Sequence, residues 1–198
     1  MPLSLPRFWS ITICSVVLLA AASCDSGPKF KSTDITGADY GKSLDLNDHT
    51  GKPRHLQDFR GKAVVVFFGF THCPDVCPTT LAEMAQVVKS LGADGDRVQV
   101  ILVTVDPERD TRDALAKYVT AFDPRFLGMY GDMEKTRQVA KDFKIYFEKR
   151  KSGSSYSVDH SGQSYVIDPQ GRLRLFVRHD RISRDLADDL KVLLKETS

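Results

Sequence analysis

Two dense apolar runs, Ala63–Phe68 (AVVVFF) and Val98–Val105 (VQVILVTV), constrain this chain more than any other feature. Stretches so rich in β-branched and aromatic residues fit strands covered on both faces, the situation of a parallel sheet with helices packed on each side. Between the two runs Leu81, Met84, Ala85, Val88 and Leu91 recur at helical spacing, and Gly92 ends the pattern. Strand, loop, helix, strand is the unit that carries a chain from one parallel strand to the next.

The remaining elements extend that unit. Short alternating stretches on either side of Thr50-Gly51-Lys52 predict a leading β-hairpin. Ala114–Phe122 reads as a second helix entered through Asp110 or Thr111, Phe126–Tyr130 as a short strand, and Glu134–Phe143 as a further helix. Ser164–Ile167 and Leu173–Val177 flank the turn Asp168-Pro169-Gln170-Gly171, which predicts a hairpin. Ser183 is expected to cap a last helix carrying Leu186, Leu190, Leu193 and Leu194. The order predicts an α/β fold with a central, mostly parallel sheet, an antiparallel edge hairpin and helices on both faces.

At the N-terminus, Arg7 precedes an apolar run from Phe8 to Ala22, with no acidic residue before Asp25. At about 15 residues the run is shorter than the ~20 that a spanning helix needs, and it ends in small residues directly before Cys24. Residues 1–23 resemble a lipoprotein-type signal peptide, with Cys24 as the lipidated residue; the alternatives are an uncleaved short anchor or a plain secretory signal. Residues 24–38 read as the lipidated cysteine and a polar tether, and residues 39–198 as one domain. Charge adds an exclusion: 28 basic and 26 acidic residues are interleaved, leaving no basic tract for nucleic acid.

Cys14 lies inside the apolar run and Cys24 is assigned to lipid, so Cys73 and Cys77 are the thiols of the exported domain. The segment Gly69–Thr80 (GFTHCPDVCPTT) follows the first central strand, where open α/β sheets place their ligand sites. Pro78 suits the first turn of a helix, so both cysteines are expected at a helix N-terminus, whose partial positive charge favours thiolate. Two sulfurs four residues apart can clamp a soft metal, copper(I) above all in an exported protein, or pair as a disulfide. A metal site needs a further ligand. Of the five histidines, His49 and His55 lie in the leading hairpin, His72 should diverge from Cys73, His179 falls near the end, and His160 sits in the loop VDHSGQSYVID.

GFTHCPDVCPTT, then VTVDPERDT (103–111), then DHSGQSYVIDPQGRL (159–173), together resemble the Sco (SenC) family of copper chaperones for cytochrome c oxidase assembly. The resemblance covers roughly residues 38–196. It implies a thioredoxin-like fold and one copper ion, Cu(I) or Cu(II), held by Cys73, Cys77 and His160. It further implies delivery to the dinuclear copper site of cytochrome c oxidase subunit II, from a membrane-tethered domain facing the periplasm. Asp25 after Cys24 fits retention at the inner membrane of a bacterial cell envelope. Other envelope copper chaperones or thiol reductants are the expected additional partners. The alternative is a thiol-disulfide reductase that uses Cys73 and Cys77 as a redox pair to reduce the oxidase subunit before metallation.

Other residues near the motifs carry blander expectations. Met84 lies about two helical turns beyond Cys77, ~10 Å along the axis, and reads as core. Asp106 is a candidate to orient a ligand without touching the metal. Arg109, Asp110 and Arg112 read as solvated charges, and Phe67, Phe68 and Phe70 as core.

Overall fold

The computed structural model describes residues 29–196 of the 198-residue chain. The expected signal, Cys14 and Cys24 lie outside the described residues. Among the described residues no helix is long and apolar enough to cross a membrane.

The two apolar runs form β4 (Ala63–Gly69) and β5 (Val98–Thr104), and every residue of both is buried. They pair in parallel, and β5 pairs in parallel with β6 (Leu127–Tyr130). Both outer flanks of this parallel centre are antiparallel. On one side stand β9 (Ser164–Ile167), β10 (Leu173–Val177) and β1 (Thr33–Asp34); on the other stand β2 (Leu46–Asp48) and β3 (Pro53–Arg54). The eight strands make one mixed sheet.

Helices cover both faces, as alternation along β4 requires. Phe67 points to the side of α1 (Val76–Ser90), which buries Cys77, Leu81, Met84, Val87 and Val88. Phe68 points the other way and meets Phe143, at the end of α3 (Met133–Asp142), with ring centroids 5.4 Å apart. Fully burying a side chain of this size contributes about 2 kcal/mol. Gly92 stands past the end of α1 with a φ of 60°, a left-handed stop that a residue with a Cβ adopts at a penalty. Thr111 caps α2 (Arg112–Thr120), its hydroxyl accepting from the Ala114 N–H, and Asp132 caps α3 through the Lys135 N–H.

Three features depart from the sequence reading. A second sheet, the hairpin β7 (Phe147–Ser152) and β8 (Ser155–His160), lies where no strand was expected. Residues 29–38, read as part of the tether, fold onto the domain. Lys31 and Ser32 donate backbone N–H groups to the Asp189 carboxylate, and β1 ladders with the free edge of β10. Backbone pairing at a sheet edge needs no hydrophobic period, so the polar composition concealed it. Ser183 does not cap the last helix. It lies inside a π-helical turn, Ile182–Leu186, that runs directly into α4 (Ala187–Lys195).

Candidate metal centre

Three elements converge beyond the C-terminal end of β4. Cys73 lies in the turn after that strand, its backbone N–H donating to the Phe70 carbonyl at 3.3 Å. Cys77 lies in the first turn of α1 and is fully buried. His160 is the last residue of β8. The two Sγ atoms and the imidazole nitrogen all lie within 4.8 Å of one another. Among the described residues this is the grouping of three such side chains able to hold a metal ion. The distance from Cys77 Sγ to His160 Nε2 is 3.7 Å. First-row metals bond sulfur and nitrogen at about 2.0–2.3 Å, so a shared ion needs ligands roughly 3.5–4 Å apart.

The imidazole is set for this task. Its Nδ1–H, assigned from the geometry of the bond, donates to the Ser161 carbonyl at 3.0 Å, which leaves the Nε2 lone pair facing the sulfurs. Phe70 meets the ring edge-on at 5.7 Å and Phe67 at 6.3 Å, fixing its plane and limiting water on that side. Beside them a cleft of about 420 Å³ opens to solvent, lined in part by Phe70, Cys73, Pro74, His160 and His179. The site is therefore closed on the Cys77 side and accessible on the Cys73 side.

The two thiols are unbonded and electrostatically unequal. Cys73 is held down to about 5, first by the hydrogen bond from the Cys77 thiol, against the opposing effect of its partial burial. The backbone N–H groups of Asp75 and Cys77 and the nearby His160 add to the depression. Cys77 moves upward, because it is the donor in that shared bond and because it is buried. The pair thus holds one negative charge readily, on the more accessible sulfur.

Glycine permits the arrangement. A Cβ on Gly69 would lie 2.8 Å from Cys77 Sγ and 2.9 Å from the Phe67 ring, so any side chain there displaces the sulfur. The Asp110 carboxylate, fully buried, fastens the preceding turn. It accepts from the Thr71 N–H at 3.0 Å, the Thr71 hydroxyl at 2.6 Å and the Thr104 hydroxyl at 2.6 Å.

The family model of SCO1/SenC matches residues 32–195. The chain belongs to the SCO1/SenC family. Among the family's relatives, the mouse mitochondrial SCO2 homolog is 39% identical over 150 residues, 74% of this chain and 59% of the mouse protein. The match thus spans under two thirds of that relative. The structure of Bradyrhizobium japonicum ScoI with copper bound superposes with a TM-score of 0.72 at 36% identity, covering 78% of this chain and 99% of that one. A SCO1/SenC family lipoprotein from Bacillus anthracis superposes with a TM-score of 0.65 at 28% identity, covering 76% and 92%. These likenesses carry the thioredoxin-like fold expected above.

Within this SCO1/SenC domain the structure brings together Cys73, Cys77 and His160 and leaves the other histidines outside. His49 accepts the Gly128 N–H, His55 pairs with Asp45, and His72 turns toward Thr71 and Asp110. His179 lines the cleft without joining the three grouped side chains. Met84 is buried core, as expected. Asp106 makes no direct contact with the three; its carboxylate accepts from Arg109 and Tyr156. The reading of Arg109 and Asp110 as solvated charges is corrected: Asp110 is 1% exposed and Arg109 packs on Tyr156, while Arg112 is exposed as expected. Gly69 and Asp110 were missed as site residues. The one signal for them was their place next to strand ends, where a small residue or a carboxylate also serves ordinary turns.

Proposed function

We propose that this chain binds one copper ion through Cys73 Sγ, Cys77 Sγ and His160 Nε2, and delivers it to cytochrome c oxidase during assembly. The observation that carries the reading is the convergence of those three atoms from separate elements within 4.8 Å. Two thiolates select a soft ion, and an imidazole extends tolerance to Cu(II). The copper-bound relative from Bradyrhizobium japonicum supports the choice of metal. Delivery follows from the open cleft: an incoming thiolate reaches the ion on the Cys73 side while the buried Cys77 still holds it.

A thiol-disulfide reductase needs the two sulfurs and no imidazole. The alignment of His160 Nε2 on Cys77 favours ligation over that reading.

Anaerobic titration of the reduced chain with Cu(I) and with Cu(II) tests the proposal. One ion per chain, with affinity lowered in each of Cys73→Ser, Cys77→Ser and His160→Ala, is the expected result. A different stoichiometry, or indifference to any of the three changes, rejects the site.

The same reading extends to the chain's surroundings. Cys24 carries lipid, the domain faces the periplasm from the inner membrane, and the acceptor is the dinuclear copper site of oxidase subunit II. Copper or electrons come from other envelope chaperones or thiol reductants. Two lines support this: the signal-like residues 1–23 and the family lipoprotein of Bacillus anthracis. Fatty-acid labelling in bacterial cells, abolished by Cys24→Ser, is the expected result.

A further inference from the structure

The hairpin β7–β8 carries His160, yet it is a sheet of its own with no ladder to the eight-stranded sheet. Side chains must therefore hold it in place. Tyr156 lies four residues before His160 on β8, so both project from the same face of that strand. The Tyr156 hydroxyl donates to Asp106 Oδ1 at 2.8 Å. Arg109 Nε donates to the other oxygen of the same carboxylate, Oδ2, at 2.5 Å. Arg109 Nη1 donates to the Tyr156 carbonyl at 2.9 Å, and its guanidinium carbon lies 3.8 Å from the centroid of the Tyr156 ring. Next to this cluster, Glu108 pairs with Lys149 of β7 at 2.6 Å.

The same arginine also touches a ring of the metal centre. Its guanidinium carbon is 5.9 Å from the Phe70 ring, and Phe70 meets the His160 ring at 5.7 Å. Phe70 thus touches both Arg109 and the imidazole.

We propose that Arg109 is a positioning residue of the metal centre: by clamping Tyr156 to Asp106 it fixes the β7–β8 hairpin, and with it the reach of His160 to the two cysteines. The inference rests on the three-ligand copper reading above. Asp106 is fully buried, so its charge is compensated only while Arg109 is seated against it. The planar fork of arginine reaches the carboxylate, a backbone carbonyl and an aromatic face at once. Without the clamp the hairpin keeps its own ladder and the buried Val158, but Tyr156 is no longer tied to Asp106, and the hold of His160 on the two sulfurs loosens.

The test is copper(II) binding by the full chain, read by affinity and by nitrogen coupling in the electron paramagnetic resonance spectrum. Arg109→Met and Tyr156→Phe should each weaken binding by about 10-fold or more and diminish the nitrogen coupling. In the His160→Ala background, Arg109→Met should produce no further loss, because the residue acts through that imidazole. Unchanged affinity and coupling in both single variants overturns the clamp, as does a loss that adds in full to that of His160→Ala. Tyr156→Phe, which removes one hydroxyl, supplies the reading if Arg109→Met does not fold. If His160→Ala itself has no effect, the three-ligand reading falls first and the clamp falls with it.

Discussion

The Nε2 of His160 stands 3.7 Å from the Sγ of Cys77, although the two residues are 83 positions apart in the chain. One is delivered by a hairpin outside the main sheet and the other by the first turn of a helix on it. The consequences of that meeting are open to measurement at several points.

Gly69→Ala tests how closely β4 approaches the sulfur. The new methyl would sit 2.8 Å from Cys77 Sγ and 2.9 Å from Phe67, so strand or helix must give way. Overpacking of this kind costs about 1–3 kcal/mol. Chemical denaturation should show that loss, and Cu(I) competition should show weaker binding. A variant as stable and as tight as the parent would contradict the geometry.

Alkylation of the reduced chain should be led by Cys73 and persist into acid. The hydrogen bond from Cys77 holds Cys73 down to about 5, so its thiolate predominates above that pH and its reactivity declines as pH falls through it. Cys77, buried and shifted upward, should react slowly throughout. Rate against pH, with the labelled residue identified by peptide mass, checks both statements.

Asp48 should support stability in acid. Burial alone raises its pKa, but hydrogen bonds from Thr50, Arg54 and the Lys52 N–H prevail and bring it down to about 2. A carboxylate depressed in the folded state stabilises above its unfolded value near 4, and the contribution disappears as pH falls from there through the folded value. The shift corresponds to about 2 kcal/mol. Between pH 5 and 2 the parent should lose more stability than Asp48→Asn, measured by denaturant unfolding.

Met84→Leu should leave copper stoichiometry and affinity unchanged. Met84 is a fully buried part of the core on α1, so an apolar residue of similar volume serves in its place. The stability change should stay below about 1.5 kcal/mol. Altered copper binding would make the thioether part of the site.

Much of the fold was legible because its signals are local. The two buried runs, the helical spacing from Leu81 to Leu91, the caps at Thr111 and Gly92 and the Asp168–Gly171 turn all depend on neighbours a few residues apart. The β7–β8 hairpin was not legible. Its first strand, FEKRKS, is exposed at nearly every position, so burial left no apolar alternation to read. Its second strand held a usable signal in Tyr156, Val158 and His160, which share one face.

The metal centre divides along the same line. The sequence by itself determined the cysteine pair, because its spacing, Pro78 and the preceding strand together place two sulfurs at one helix start. The family resemblance implied His160, but only the tertiary structure decided how it meets those sulfurs, that Gly69 must lack a side chain, and that Arg109 and Asp110 turn inward rather than to solvent. Each of those outcomes is set by which backbone passes within a few ångströms of another, a distance that spacing along the chain does not encode.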